Sequence, residues 1–543
     1  MEIVSIVLFF LLAVVVSGAI SRMLPVSVPT PLVQIVLGAV IGLSAAHRVE
    51  LDPDLFLLLF LPPLLFLDGW RIPKDALFKD VATVTELAFG LVLMTVVGVG
   101  FLAHWLIPAM PLAVGLALAS VISPTDPIAV SAIAARVPFP RRLMHILEGE
   151  SLLNDASGLV CLRFAVAAAL TGSFSASSAI LSFLWTAGIG LAAGAAVTLG
   201  VSFAMSRFTR RWGEDIGAQI LVSLLIPFGA YQLAEHLHAS GILAAVSAGV
   251  TMTFAEISRQ AMAATRMRRN SVWDMIQFTL NGVIFVLLGE QLPAILGDAR
   301  HTVAITGHDN PWWLGLYTII IVAALAGLRL LWVVVSLKLT LLKRRRQGVT
   351  GPKPQARLIL AMSFAGVRGA ITLAGVMTLP LTLHDGTPFP ARDLAIFLSA
   401  GVILLSMLVA SVALPVPLKG LDLPPEPSEQ AEEDSARIAL AEAAIRAVER
   451  QQKDWSDTGT QVDLYAEVGG QVVDAYRERI EGLRDENPQT LRNRARLVST
   501  LHLVAVKAQR QLMHDLLRER RIGSEIARKL TRELDLVETR HRG

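Results

Sequence analysis

A chain of 543 residues in which 53% of positions are apolar and only 17% charged, with a mean hydropathy of +0.57, lies well above the balance of a soluble globular protein and reads as an integral membrane protein. A net charge of only +3 implies no nucleic-acid surface, and no zinc-ligand spacing, Walker loop or dinucleotide fingerprint is present. The one cysteine, Cys161, excludes an internal disulfide framework and reads as a packing residue.

The first hydrophobic run, from Ile3 to Ile20, is preceded by Glu2 and not by a basic segment, so it reads as a retained helix rather than a signal peptide. Runs long enough to cross about 30 Å of hydrocarbon follow. They predict about thirteen helices, near residues 3–21, 30–46, 54–69, 82–106, 111–135, 143–171, 177–206, 216–237, 239–256, 272–296, 312–341, 357–382 and 391–417. Pro62, Pro63 and Pro227 interrupt two of these runs, which membrane helices tolerate when neighbours satisfy the freed carbonyls.

Loop charges test this count. Roughly twenty basic residues follow odd-numbered helices, among them Arg71, Lys74, Arg141, Arg210, Arg269 and Arg344, whereas only Arg48, Arg300 and Arg392 follow even-numbered ones. The bias predicts an external N-terminus and a cytoplasmic C-terminus. From residue 421 the composition changes: Pro424, Pro425 and Pro427 form a linker, and a charged, alanine-rich helical tail follows over 421–543, with the membrane domain at 1–420. Gly523-Ser524 reads as a stop followed by a helix cap, with Ile526, Leu530 and Leu534 as one apolar stripe beyond it. The tail reads either as a regulatory or dimer-stabilising element, binding a regulator or the partner protomer, or as a solvated appendage.

Three segments put chemistry inside the apolar domain. Glu148 to Asp155 reads Glu-Gly-Glu-Ser-Leu-Leu-Asn-Asp, and a carboxylate at mid-bilayer costs about 3 kcal/mol even on lenient scales. Ser123-Pro124-Thr125-Asp126-Pro127 sets a second acid between two prolines, and Gly366-Val367-Arg368-Gly369-Ala370 sets an arginine between glycines. Thirteen spans suggest two inverted six-helix repeats joined by the seventh helix, in which helices five and twelve correspond. Helix-breaking sequences at matching positions point to discontinuous helices crossing at a transport site.

Asp126, Asp155, the Ser151 hydroxyl and a Thr125 oxygen are hard donors suited to dehydrated sodium or lithium. A pair of acids that a proton or a cation can neutralise, but not comfortably both, exchanges them by competition. Ser151 and Asp155 share one helix face, Glu150 and Asn154 a neighbouring one. Arg368 is expected to balance the extra negative charge, most directly against Glu150. Asp68 reads equally as a second acid near the ion and as an interfacial residue beside Arg71. For Glu148 the expectation is dipole stabilisation at a helix start, for Asp274 and Glu290 interfacial positions, for Glu235, His236 and His238 an exposed loop in preference to a group that tunes the pH response, and for Arg163 a pathway ion pair, a structural pair or a snorkelling side chain.

Pro62-Pro63-Leu64-Leu65-Phe66 with Asp68, Thr125-Asp126-Pro127, Glu150-Ser151-Leu152-Leu153-Asn154-Asp155, Phe285-Val286-Leu287-Leu288-Gly289 and Gly366-Val367-Arg368-Gly369-Ala370 resemble the NhaP-type monovalent cation/proton antiporters. These are bacterial relatives of the animal sodium/proton exchangers, and the resemblance spans the whole membrane region. It implies a homodimer in the bacterial inner membrane, with a dimerisation domain and a six-helix core that moves to give alternating access. It also implies that Asp155 binds the ion, that Asp126, Ser151 and a Thr125 oxygen assist, that Glu150 pairs with Arg368, and that Asn154 steadies the crossing. Asparagine before Asp155 is similar to the electroneutral branch, and Asp68 departs from the glutamate of many relatives. The expectation is therefore sodium or lithium exchange for protons without a cofactor and not an enzyme. Potassium/proton exchange, or a channel or sensor of the same fold, are the alternatives; an intramembrane hydrolase lacks a substrate-groove motif.

Overall fold

The computed structural model describes residues 2–23, 28–44, 53–74, 81–127, 130–131, 139–171, 176–257, 263–346, 355–383, 386–419, 427–456, 462–484, 488–519 and 521–542. Among these the architecture is all helical, with one isolated bridge between Thr382 and Pro388. Eight helices are long and apolar enough to cross a membrane, and shorter apolar helices accompany them.

The first three helices are α1 (Glu2–Met23), α2 (Thr30–Ser44) and α3 (Pro53–Arg71), the last continuing through Pro62 and Pro63. Helix α4 (Val81–Leu106) contains a π-helical stretch at Glu86–Leu91, and α5 (Leu112–Ile122) stops just before the Ser-Pro-Thr-Asp-Pro sequence. Of the expected continuation of the fifth helix to residue 135, residues 128, 129 and 132–135 lie outside the described residues. Then come α6 (Arg141–Thr171), α7 (Ala176–Trp212), α8 (Ile216–His236), α9 (Gly241–Ile257), α10 (Ala263–Gly297) and the short α11 (Ala299–Ile305). Helix α12 (Trp312–Arg346) leads to a broken pair, α13 (Ala356–Phe364) and α14 (Ala370–Met377), followed by α15 (Arg392–Ala413) and α16 (Pro415–Leu418).

Helix α10 begins nine residues before the expected 272, so Arg266, Arg268 and Arg269, read as loop charges, are helical. Arginine is a good helix former, and the buried Arg269 is ion-paired with Glu256 of α9. Glu290, expected near a helix end at the membrane interface, is 4% exposed and packs where Gly42 of α2 meets α10.

Lipid tails are as apolar as leucine, so membrane helices associate through close backbone approach at small residues. Helices α2 and α10 do this reciprocally: a side chain at Gly38 would collide with the Val286 carbonyl, and one at Gly289 with that of Ile35. Gly249 of α9 lies in the same way against Phe66 of α3. These contacts tie α1–α3 to α7–α10, while α4–α6 pack with α12–α15. Helices α3 and α10 touch α14, and α3 touches α6, along the seam between the two groups.

The chain divides into two compact units, Met1–Leu423 and Pro424–Gly543. In the second, α17 (Pro427–Ser456) packs on α18 (Val462–Arg484), and α19 (Pro488–Arg518) on α20 (Ser524–Arg542). Of the expected linker, Pro424 and Pro425 lie outside the described residues. Helix α20 turns Ala527 inward while Ile526 stays 54% and Leu530 38% exposed, so of the expected stripe only the half-buried Leu534 lies toward the packed face. Arg510 of α19 pairs with Asp535 and Glu538, which fixes that rotation.

Candidate functional site

The two helix breaks meet. The Asp126 amide donates to the Val367 carbonyl at 2.7 Å, so the chain after α5 and the chain between α13 and α14 bond to each other where neither is helical. Prolines at 124 and 127 and glycines at 366 and 369 open these breaks, and the backbone groups they free are satisfied across the crossing. Gly158 of α6 would bring a side chain into contact with Pro124 and the Ser120 carbonyl, so α6 lies hard against the first break.

One cavity of about 40 Å³ lies at this crossing, room for a small ion or one or two waters. Asp126, Asp155, Ser151, Thr125 and Asp68 all line it. Asp155 is 3% exposed. The Ser151 hydroxyl donates to the Thr125 carbonyl at 2.8 Å, so this oxygen, freed by the break, is bonded to α6. Behind the cavity wall the Asn154 amide donates to the Thr125 hydroxyl at 3.0 Å, which lies 3.4 Å from Glu150. Thus α6 holds the first break through Ser151 and Asn154 while presenting Asp155 to the cavity. Asp126 lies against Gly369, the residue preceding α14, where a helix N-terminus favours a carboxylate.

Asp68 faces this cavity, and Arg71 turns away to Asp274 and Gln277 at 2.5 and 2.8 Å. A neighbouring cavity of about 210 Å³ shares Asp68, Pro127 and Ser151 and contains Arg71, Glu148 and Gln277. Glu148 lies seven residues inside α6 and lines this vestibule; dipole stabilisation, which fades beyond the first turn, does not account for it. On the opposite side, a cavity lined by Arg163 shares no residue with the site, and Arg163 bonds Glu235 at 3.1 Å. Glu235 also accepts from the Gly241 amide at the start of α9, a structural position instead of the expected exposed loop.

The expected pairing of Glu150 with Arg368 is not what the structure shows. Glu150 is held in a two-pronged pair by Arg329 of α12, at 2.5 and 2.8 Å, with both side chains at most 2% exposed. Arg329 also donates to the Met362 carbonyl at 2.9 Å in the last turn of α13. Arg368 is given over to backbone: it donates to Ile122 at 2.8 Å, the end of α5, and to Gly366. Each broken helix ends with carbonyls that lack helical partners and carry partial negative charge. Arg329 and Arg368 take up those ends, and the Arg368 guanidinium, satisfied there, leaves Glu150 to Arg329. Gly366 leaves room for both, since a side chain would meet Arg329 at 2.8 Å and Arg368 at 2.9 Å.

Sequence reasoning passed over Arg329, although an arginine in the middle of the apolar part of Trp312–Arg346 is a signal in itself. It also passed over Asn281 and Thr372, which line the cavity; the Thr372 hydroxyl is buried without a hydrogen-bond partner. A methyl group at 369 would collide with the Asp126 carboxylate. Gly369→Ala is therefore expected to raise the cation concentration for half-maximal transport by about tenfold or more, because binding groups tolerate only about 0.5 Å of displacement. Unchanged half-saturation in vesicles would show that Asp126 need not be held there.

Residues 8–420 match the family described as "Sodium/hydrogen exchanger, transmembrane". The chain is 41% identical to the "Uncharacterized Na(+)/H(+) exchanger YjcE" of Escherichia coli (strain K12) over 544 residues, 99% of this chain and 98% of that protein. It is 36% identical over 544 residues to a "Sodium, potassium, lithium and rubidium/H(+) antiporter" of Bacillus subtilis (strain 168), covering 99% of this chain and 78% of the relative. In fold it is similar to the sodium proton antiporter MjNhaP1 of Methanocaldococcus jannaschii, with a TM-score of 0.57, 21% identity, 78% of this chain and all of the other covered. With acids and hydroxyls gathered at a crossing of broken membrane helices, the chain belongs to the sodium/hydrogen exchanger family, as a multi-pass antiporter of the NhaP type.

Proposed function

We propose that this protein exchanges sodium or lithium for protons, one for one, by alternating access at the cavity between Asp126 and Asp155. The observation that carries the proposal is the one cavity that Asp126, Asp155, Ser151, Thr125 and Asp68 line together, where two broken helices cross. Asp155 and Asp126 hold the cation or the proton, with Ser151 and Thr125 assisting. Asn281 and the unpartnered Thr372 hydroxyl supply further oxygens. The Asn154-Asp155 order supports electroneutrality. Asp68 stands where the vestibule joins the site and acts as a relay for the arriving ion.

The wider organisation follows the same reading. Two inverted repeats of six helices, thirteen spans in all, would place the breaks after α5 and between α13 and α14 at matching positions. Helices α4–α6 and α12–α15 form the moving core, and α1–α3 with α7–α10 form the dimerisation domain of a homodimer. The N-terminus is outside and the tail cytoplasmic, a reading that the loop charges support. The vestibule that joins the site through Asp68 and Ser151 then opens to the cytoplasm, with Arg163 and Glu235 on the closed external side.

In everted vesicles or proteoliposomes, added sodium should dissipate an imposed pH gradient at a rate independent of imposed voltage. Because proton and cation compete, the sodium concentration for half-maximal flux should rise as pH falls, by up to about tenfold per unit. A half-saturation constant that does not move with pH would remove competition as the mechanism. The Bacillus subtilis relative is named for potassium and rubidium as well, which favours a second reading of broader ion selectivity. Flux with sodium, lithium and potassium at one pH separates the two.

A further inference from the structure

We infer that the cavity between the ends of α7, α8, α9 and α10 binds the phosphate headgroup of an anionic phospholipid. The cavity measures about 500 Å³, within the range of built ligand pockets, and is separate from the ion site. Three arginines line it, Arg210, Arg266 and Arg269, against two glutamates, Glu214 and Glu256. Both glutamates already have partners. Glu256 accepts from the Trp70 indole at 2.8 Å and pairs with Arg269, and Glu214 accepts from the Thr265 hydroxyl at 2.5 Å. Three guanidinium groups against two carboxylates leave the cavity lining with a net positive charge.

Two of the arginines have capacity to spare. Arg210 makes no ion pair among the described residues. Arg269 is 5% exposed, and its Nε is buried without an acceptor. A buried guanidinium donor left open beside a cavity is a costly arrangement that an anion would complete.

The walls decide which anion. Val201, Met205, Val222, Ile226 and Met252 give the cavity an apolar side. The same helices carry exposed Phe203, Leu221 and Leu225, so α7 and α8 face lipid close by. A soluble phosphate has no use for such a wall, whereas a phospholipid places its headgroup on the arginines and its chains along the apolar side. The basic loop ends here are those the charge bias assigns to the cytoplasmic leaflet, where basic pockets between membrane helices hold anionic lipid. The site is also tied to the transport machinery: the Arg269 guanidinium lies 5.2 Å from the ring of Trp70, two residues beyond Asp68 on α3.

The test uses the full chain purified in neutral detergent. Phosphatidylglycerol should remain bound in native mass spectrometry and raise the melting temperature, whereas phosphatidylcholine and inorganic phosphate alone should do neither. Arg210→Gln, at an exposed position, should weaken phosphatidylglycerol binding about fivefold, and Arg207→Gln, on the same helix end but outside the cavity, should leave it unchanged. Equal binding by wild type and Arg210→Gln, or equal weakening by both substitutions, would overturn the site. Stabilisation by inorganic phosphate matching that by phosphatidylglycerol would overturn the lipid assignment.

Discussion

Replacing Asp155 by Asn is expected to abolish sodium-driven proton movement while leaving the protein folded. Asparagine matches aspartate in volume, so the packing of α6 against the Thr-Asp-Pro break is kept, and the Ser151 and Asn154 bonds that hold the break do not involve position 155. What is lost is the charge that a proton or a cation neutralises in turn. A neutral amide beside Asp126 can neither release a proton nor compensate a dehydrated cation, so exchange should fall by at least about a hundredfold, the lower range for removing a group that exchanges protons. Proteoliposome flux checked against an unchanged elution profile and melting temperature is the measurement. Retained exchange in a folded Asp155→Asn protein would end the assignment. Ser151→Ala provides the contrast: it removes a hydroxyl whose bond is to backbone, and should raise half-saturation with a smaller loss of maximal rate.

The largest effect on stability should come from Glu150. Glu150→Gln leaves the Arg329 guanidinium buried without its counter-charge, and breaking such a pair costs about 3 to 5 kcal/mol. Replacing both partners by apolar residues, Glu150→Leu with Arg329→Met, should recover much of that loss, because the penalty arises from the orphaned charge and not from the missing bridge. A double-mutant cycle in detergent micelles makes the test specific. Glu150 should couple strongly to Arg329 and weakly to Arg368, whose guanidinium is taken up by the Ile122 and Gly366 carbonyls. Stronger coupling to Arg368 would reverse the pairing seen in the structure.

Much of the candidate site could be read from the chain because its residues break local rules. Prolines at 124 and 127 and glycines at 366 and 369 cannot sit quietly inside spanning helices, and acids at 126, 150 and 155 cannot sit quietly in hydrocarbon. Such violations are visible one segment at a time. Arg329, Asn281 and Thr372 were harder to place. Arg329 and Thr372 lie in apolar stretches with no amphipathic phase to show which face turns inward, and on α10 Asn281 is one of several polar residues that include Asn270, Asp274, Gln277, Glu290 and Gln291. The start of α10 was misjudged for a related reason: arginines at 266, 268 and 269 mark the membrane boundary, but a helix does not end where the bilayer does.

The sequence by itself determined that the chain spans a membrane many times, where its spanning helices break, and which acids must be sheltered there, since composition and forbidden residues act locally. Only the tertiary structure decided that Arg329 and not Arg368 holds Glu150, that Asp68 lines the cavity while Arg71 bonds Asp274 and Gln277, and that Asn281 and Thr372 complete the cavity wall. A buried charge pairs with whatever opposite charge the packing brings within about 3 Å. That proximity depends on helix rotation and on competition with freed backbone carbonyls, and neither is written in the spacing of residues along one helix.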